Sequence, residues 1–140
     1  VTELVRQRNT NDCLFACAAM ALGMTYDEAE ARAGAAFMNL LQSQGCNNAM
    51  ENALLGALGL KVNVDYCMRT FNNHWTSVGF VKNMLWGRRA IVTVRSRNNR
   101  DGSHAVYWDG SKLFDPCTQD VYPSWDEVEP VEAVIFNERP

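Results

Sequence analysis

Between Cys13 and Leu22 every position is apolar, so a helix over this stretch has no polar face and must be buried on all sides. Asn11 or Asp12 suits its N-cap, and Gly23 its end. Thr25-Tyr26-Asp27-Glu28 has the Thr-x-x-Glu spacing of a capping box and predicts a second helix that stops at Gly34. Ala49, Met50, Ala53, Leu54, Ala57 and Leu58 recur at helical spacing, which places another helix after Asn47 or Asn48 and ends it at Gly59.

The period then changes. Leu60 to Tyr66 alternates apolar and polar residues, as a half-buried strand does. Trp75 to Trp86 reads as a helix capped by Thr76 or Ser77 and stopped at Gly87. Ala90-Ile91-Val92-Thr93-Val94 is apolar and largely β-branched, which predicts a central strand. His104 to Trp108 and Lys112 to Asp115 flank Asp109-Gly110, a hairpin signal. Ser96 to Ser103 is a polar loop, Ser124 to Glu127 a short capped turn, and Val131 to Phe136 a last strand. Helices first and strands later predict an α+β fold, with an N-terminal helical part and a C-terminal antiparallel sheet. With 140 residues and no repeat or linker, residues 1–140 read as a single domain.

Composition narrows the function classes. Hydrophobic residues make up 47 % of the chain, as a packed core requires. A net charge of −3 argues against a nucleic-acid partner. No apolar run is long enough for a membrane span and no signal peptide is evident, so a soluble cytoplasmic protein is expected. Five arginines (Arg88, Arg89, Arg95, Arg97 and Arg100) crowd one stretch. The five cysteines are irregularly spaced, which suits a reducing compartment better than a disulfide framework. Cys13 and Cys17 lack the paired spacing of structural zinc, so neither a metal nor a cofactor is expected. Cys17, Cys46, Cys67 and Cys117 read as small buried apolar residues.

Cys13 stands apart. It opens the apolar helix, where the positive end of the helix dipole favours a thiolate. Gln7, six residues upstream, can offer an amide donor to an oxyanion formed at that sulfur. A nucleophilic thiol also needs a base, and His74 and His104 are the two histidines. His74 reads as a residue at a helix entry. With Asp109-Gly110 as a two-residue turn, His104 pairs with Asp115 across the hairpin, and a carboxylate there can fix the imidazole tautomer. Asp109 reads as a turn residue, Asp120 as a loop residue, and Asp12 as a helix cap.

Gln7-x5-Cys13, the helix ending Ala18-Ala19-Met20-Ala21-Leu22-Gly23, and His104-Ala105-Val106-Tyr107-Trp108-Asp109-Gly110 with Phe114-Asp115-Pro116 together resemble the C39-type, papain-like cysteine peptidases. The likeness covers roughly Leu4 to Leu22 and Ala90 to Pro116. It implies a papain-like fold and a thiol hydrolase acting on a peptide or isopeptide bond. Cys13 would be the nucleophile, His104 the base and acid, Asp115 its orienter, and Gln7 part of the oxyanion hole. The family usually has Gly where this chain has Leu14, which would narrow the substrate cleft. No membrane or ATPase segment accompanies the motifs, so the stand-alone form is the better match. Arg97 and Arg100, ahead of His104, suggest an acidic or carboxylate-bearing peptide or protein substrate. A non-catalytic binding or inhibitor module on the same fold, such as a phage- or plasmid-encoded effector, and an acyl transferase using the same triad are the alternatives. Oligomeric state is left open.

Overall fold

The computed structural model describes residues 2–9, 11–44, 48–71, 78–95, 103–117, 125 and 129–138. Four helices come first: α1 (Cys13–Ala21), α2 (Tyr26–Ala33), α3 (Ala35–Gln44) and α4 (Asn48–Ala57). Strand β1 (Tyr66–Thr70), helix α5 (Val78–Leu85) and strands β2 (Ala90–Arg95), β3 (Ser103–Trp108), β4 (Leu113–Phe114) and β5 (Pro130–Phe136) follow. The strands form one antiparallel sheet in the order β1-β5-β2-β3-β4. The fold is therefore α+β, with β2 inside the sheet as its apolar sequence requires. None of the described helices is long and apolar enough to cross a membrane.

Helix α1 is buried along its length from Leu14 to Ala21. It lies between the sheet and α2, α3 and α4 in a core that also takes Ile91, Ala105, Tyr107, Phe114, Val134 and Phe136 from the strands. Their strand neighbours, Ala90, Val92, Val106, Trp108, Ala133 and Ile135, face the other way and pack with Val81 and Leu85 of α5 and with Trp125. Both faces of the sheet are thus covered, which explains why its inner strands are apolar without alternation. Trp108 Nε1 donates to the carbonyl of Leu85 at 2.7 Å, so the largest buried ring also has its polar group paired.

The helix boundaries follow local chemistry. Thr25 and Glu28 make both halves of the capping box at the start of α2. Helix α3 is an element that the sequence reading did not anticipate. Gly34 ends α2 at φ 91°, and its carbonyl accepts from Met38 N–H in the first turn of α3. One glycine closes one helix and opens the next, so no separate start signal exists. Met38 and Leu41 then face the core.

The strand expected over Leu60 to Tyr66 is not formed. Val62 and Val64 are exposed, and Asp65 closes a tight turn by accepting from Lys61 N–H at 2.9 Å while its own N–H donates to the Lys61 carbonyl. Asn63 sits at φ 65° inside that turn. Alternation alone cannot hold a strand without a partner: among the described residues Val62 makes only an isolated bridge with Tyr66, and the β1–β5 ladder begins where Tyr66 meets Phe136. Helix α5 and the stop at Gly87 agree with the sequence, whereas Thr76, Ser77 and most of Ser124 to Glu127 lie outside the described residues.

Glu51, on α4, is an exception within the packed layer: it is only 4 % exposed. Burial, reinforced by the nearby negative charge of Glu132, raises its carboxyl from 4.5 to about 7. A carboxyl whose affinity for protons is higher in the folded state loses stability as pH rises, here between about 4.5 and 7. Glu51→Gln should therefore stabilise the protein by about 1–3 kcal/mol above this range and have little effect below it. Urea unfolding of the two proteins on either side of the range measures the difference, and equal gains at both would contradict the electrostatic origin.

Candidate active site

The segment leading to Cys13 is fixed by a buried carboxylate. Asp12 occupies the N-cap position of α1, but its side chain makes no cap bond to the helix. It turns back instead and accepts from Arg8 N–H at 3.0 Å, Asn9 N–H at 3.1 Å and the Tyr26 hydroxyl at 2.6 Å. The expected helix cap is thus a loop anchor. Tyr26 is itself held edge-on against Phe15 and lies under the Arg8 guanidinium. Burial, followed by the hydrogen bond to Asp12, drives its hydroxyl well above the usual phenol range, so it remains a donor.

The second half of the site comes from the β3–β4 hairpin. Its register differs from the expected one by two residues: Tyr107 pairs with Phe114 and Trp108 with Leu113. The turn is centred on Gly110-Ser111, not on Asp109-Gly110. Asp109 N–H donates to the Lys112 carbonyl, and the Asp109 carboxylate accepts from Ser111 N–H and Lys112 N–H, wrapping the chain around Gly110 at φ 104°. A slip of two residues preserves which face each side chain occupies. Asp115 therefore becomes the diagonal neighbour of His104, within reach of its ring. Continued past β4, the same register brings Cys117 opposite His104.

His104 Nε2 lies 2.7 Å from Asp115 Oδ1, which also accepts from Cys117 N–H at 2.8 Å. Asp115 is buried and the His104 side chain is 18 % exposed, so the pair is shielded from water but not sealed. The Cys13 thiol is within hydrogen-bonding reach of the same ring. Burial alone would lower the His104 pKa, but the hydrogen bonds to Asp115 and Cys13 outweigh it and lift the value from 6.5 to about 9. At neutral pH the ring is then an imidazolium whose Nε2–H donates to Asp115.

Gln7 is brought to this ring by the chain's other end. Its N–H donates to the Pro116 carbonyl at 3.2 Å, and its Oε1 accepts from the Cys117 thiol. One of its two amide hydrogens goes to the Asn9 carbonyl. Leu14, expected beside the substrate, is only 6 % exposed and packs into the core around α1. Arg97, Arg100, His74, Asp120 and Cys46 lie outside the described residues. Of the clustered arginines, Arg89 is bonded to Glu138 and the Ala21 carbonyl, and Arg95 to Glu129 at 3.1 Å. A cleft of about 900 Å³, lined by Leu4, Met24, Tyr26, Arg89 and Tyr107 among others, lies at the opposite end of α1 from Cys13.

Cys117 is the site residue that sequence reading missed. It is an exposed free thiol, not a buried apolar filler, and its Sγ is 3.8 Å from His104 Nδ1. Counting the hairpin outward from Gly110-Ser111 would have found it. Burial, then the charge of Asp115, raises its thiol to about 11, so it is protonated at neutral pH and donates to Gln7. Cys17, one turn into α1, is wholly buried, and desolvation pushes its thiol well up. His104, Asp115 and Cys117 are also a group whose ligand atoms lie within 4.8 Å of one another. No protein-family profile matches the chain, and no curated protein sequence matches it.

Two outcomes follow from these bonds. Because His104 binds its proton more tightly when folded, its pairing stabilises fully below about pH 6.5 and that contribution disappears as pH rises through about 9. Across that window wild type should lose about 2–3 kcal/mol more than His104→Gln, as read from urea midpoints. Tyr26→Phe removes a donor to the buried Asp12 and should cost about 1.5–3 kcal/mol, with less than 0.5 kcal/mol (roughly) expected had the hydroxyl been exposed.

Proposed function

We propose that the protein is a thiol hydrolase of the C39-like, papain-like type, cleaving a peptide or isopeptide bond through Cys13, His104 and Asp115. One observation carries this reading: a single imidazole is held by a buried aspartate through Nε2 while a thiol at the start of a buried helix lies within reach of the same ring. That is the relation of nucleophile, base and orienter which acyl transfer uses.

In this mechanism the proton of the Cys13 thiol already resides on the His104 imidazolium, and the thiolate attacks the substrate carbonyl carbon. The carbonyl electron pair moves to oxygen. When the tetrahedral adduct collapses, the C–N bond breaks and His104 protonates the departing amine, leaving a thioester on Cys13. Water then attacks the thioester with His104 as its base, releasing the acid and restoring the thiol. Asp115 keeps Nε2 occupied and favours the imidazolium at each stage. The second amide hydrogen of Gln7 is the donor suited to the oxyanion, together with the Cys13 N–H at the helix start. With its side chain in the core, Leu14 supports the packing of α1 and does not obstruct the thiol.

Iodoacetamide labelling of the native protein over about pH 5 to 9, mapped by mass spectrometry, tests the activated pair. Cys13 should be labelled selectively at the acidic end, and His104→Ala should abolish that selectivity. Equal labelling of Cys13, Cys67 and Cys117 would refute the assignment. Against the best substrate found in a peptide library, Gln7→Ala should slow turnover by on the order of 10²–10³. An unchanged rate would remove Gln7 from the mechanism.

A further inference from the structure

The acyl-transfer mechanism leaves Cys117 without a role, although its sulfur faces the nitrogen of His104 that Asp115 does not hold. We propose that His104 Nδ1 and Cys117 Sγ form a binding site for a soft divalent cation of the Zn²⁺ class, and that occupying it withdraws the His104 ring from Cys13. The argument begins with distance. Zinc bonds of about 2.3 Å to sulfur and about 2.0–2.1 Å to nitrogen, set at the tetrahedral angle, put the two ligand atoms about 3.6 Å apart. The observed separation of Nδ1 and Sγ is 3.8 Å, so closing onto a metal needs only a small rotation of either side chain.

The surroundings fit as well. A metal-bound histidine is normally oriented by a carboxylate on its other ring nitrogen, and Asp115 already stands on Nε2 at 2.7 Å. Asp115 also holds Cys117 through its backbone N–H, so one carboxylate positions both ligands. Cys117 is exposed, which gives an ion a route in, and thiolate with imidazole is a ligand pair that suits zinc. As the metal–sulfur bond forms, the Cys117 thiol gives up the proton it now donates to Gln7, and the His104 ring releases its Nδ1 proton to solvent so that the lone pair on that nitrogen takes the ion. The remaining positions fall to water. The binding stands on its own geometry, whereas its inhibitory consequence rests on the thiol-hydrolase reading.

The full chain, reduced and freed of metal, should bind one Zn²⁺ in calorimetry. With Co²⁺ it should develop a sulfur-to-cobalt charge-transfer band. Cys117→Ser should lose the band and weaken Zn²⁺ binding at least about tenfold, while Cys117→His keeps binding without the band and Cys13→Ser keeps both. A Cys117→Ser protein that binds Zn²⁺ as tightly as wild type, or a band that vanishes in Cys13→Ser, would overturn the assignment. For the inhibitory step, saturating Zn²⁺ should slow iodoacetamide labelling of Cys13 in wild type and give no protection in Cys117→Ser. Equal protection in both would refute it. Failure of the metal site leaves the pH profile of Cys13 labelling intact, and failure of the hydrolase reading leaves the cobalt band intact, so the two are read separately.

Discussion

The larger core of this molecule is arranged around a helix that can face water nowhere along its flanks. Helix α1 has no polar side, and burial from Leu14 to Ala21 removes it from solvent by placing the sheet on one flank and α2, α3 and α4 on the others. A helix so enclosed can meet the surface only at its ends. Cys13 is its first residue and is half-buried, so the thiol emerges at the rim of the core beside β3. The position of the candidate nucleophile is thus a result of packing, and the fine adjustment comes from Asp12, which ties the preceding loop to Tyr26 and hence to α2.

The parts of the fold that were legible in the sequence are those with a local cause. The Thr25–Glu28 box, the stops at Gly23 and Gly59, and the apolar run of β2 need no knowledge of distant partners. What escaped depended on partners or on one residue doing two things. Gly34 hides the start of α3 because it is also the end of α2. Val62 and Val64 alternate as strand residues do, but Asp65 gives the backbone a local bond, and among the described residues the bridge of Val62 with Tyr66 stays isolated. In the hairpin, the Asp109 side chain draws the turn one residue onward, which moves the register by two. His104 and Asp115 remained together because that shift is even. Cys117 was missed because the assumed register sets it two residues beyond the partner of His104; only the observed register, continued past β4, sets it against His104.

The site also shows how little sequence proximity says about a thiol's chemistry. Cys13 and Cys17 share one helix, yet Cys17 is sealed in hydrocarbon and Cys13 is near enough to an imidazole to raise its affinity for a proton. Cys117 shares that imidazole, but burial and the Asp115 charge raise its thiol and it keeps its proton for Gln7. Three sulfurs within one neighbourhood therefore differ in burial, in partner and in the sign of the nearest charge. These differences, not the count or spacing of cysteines, divide them into packing atom, candidate nucleophile and candidate ligand.

The place of β5 in the sheet bears on how the protein is assembled. It is the last strand along the chain, yet it lies between β1 and β2 and supplies Val134 to one core and Ile135 to the other. The described pairing of β1 is with β5 alone. A sheet of this kind cannot grow strand by strand from one edge; two separate pieces must wait for a late segment to enter between them, and such long-range closures are the slow events of folding. Gln7 and Cys117, 110 residues apart, meet only when both ends of the sequence are in place. The surroundings of His104 thus belong to the completed chain and not to the helix that carries Cys13, so the proposed thiol–imidazole pair is one that a partly folded molecule cannot assemble.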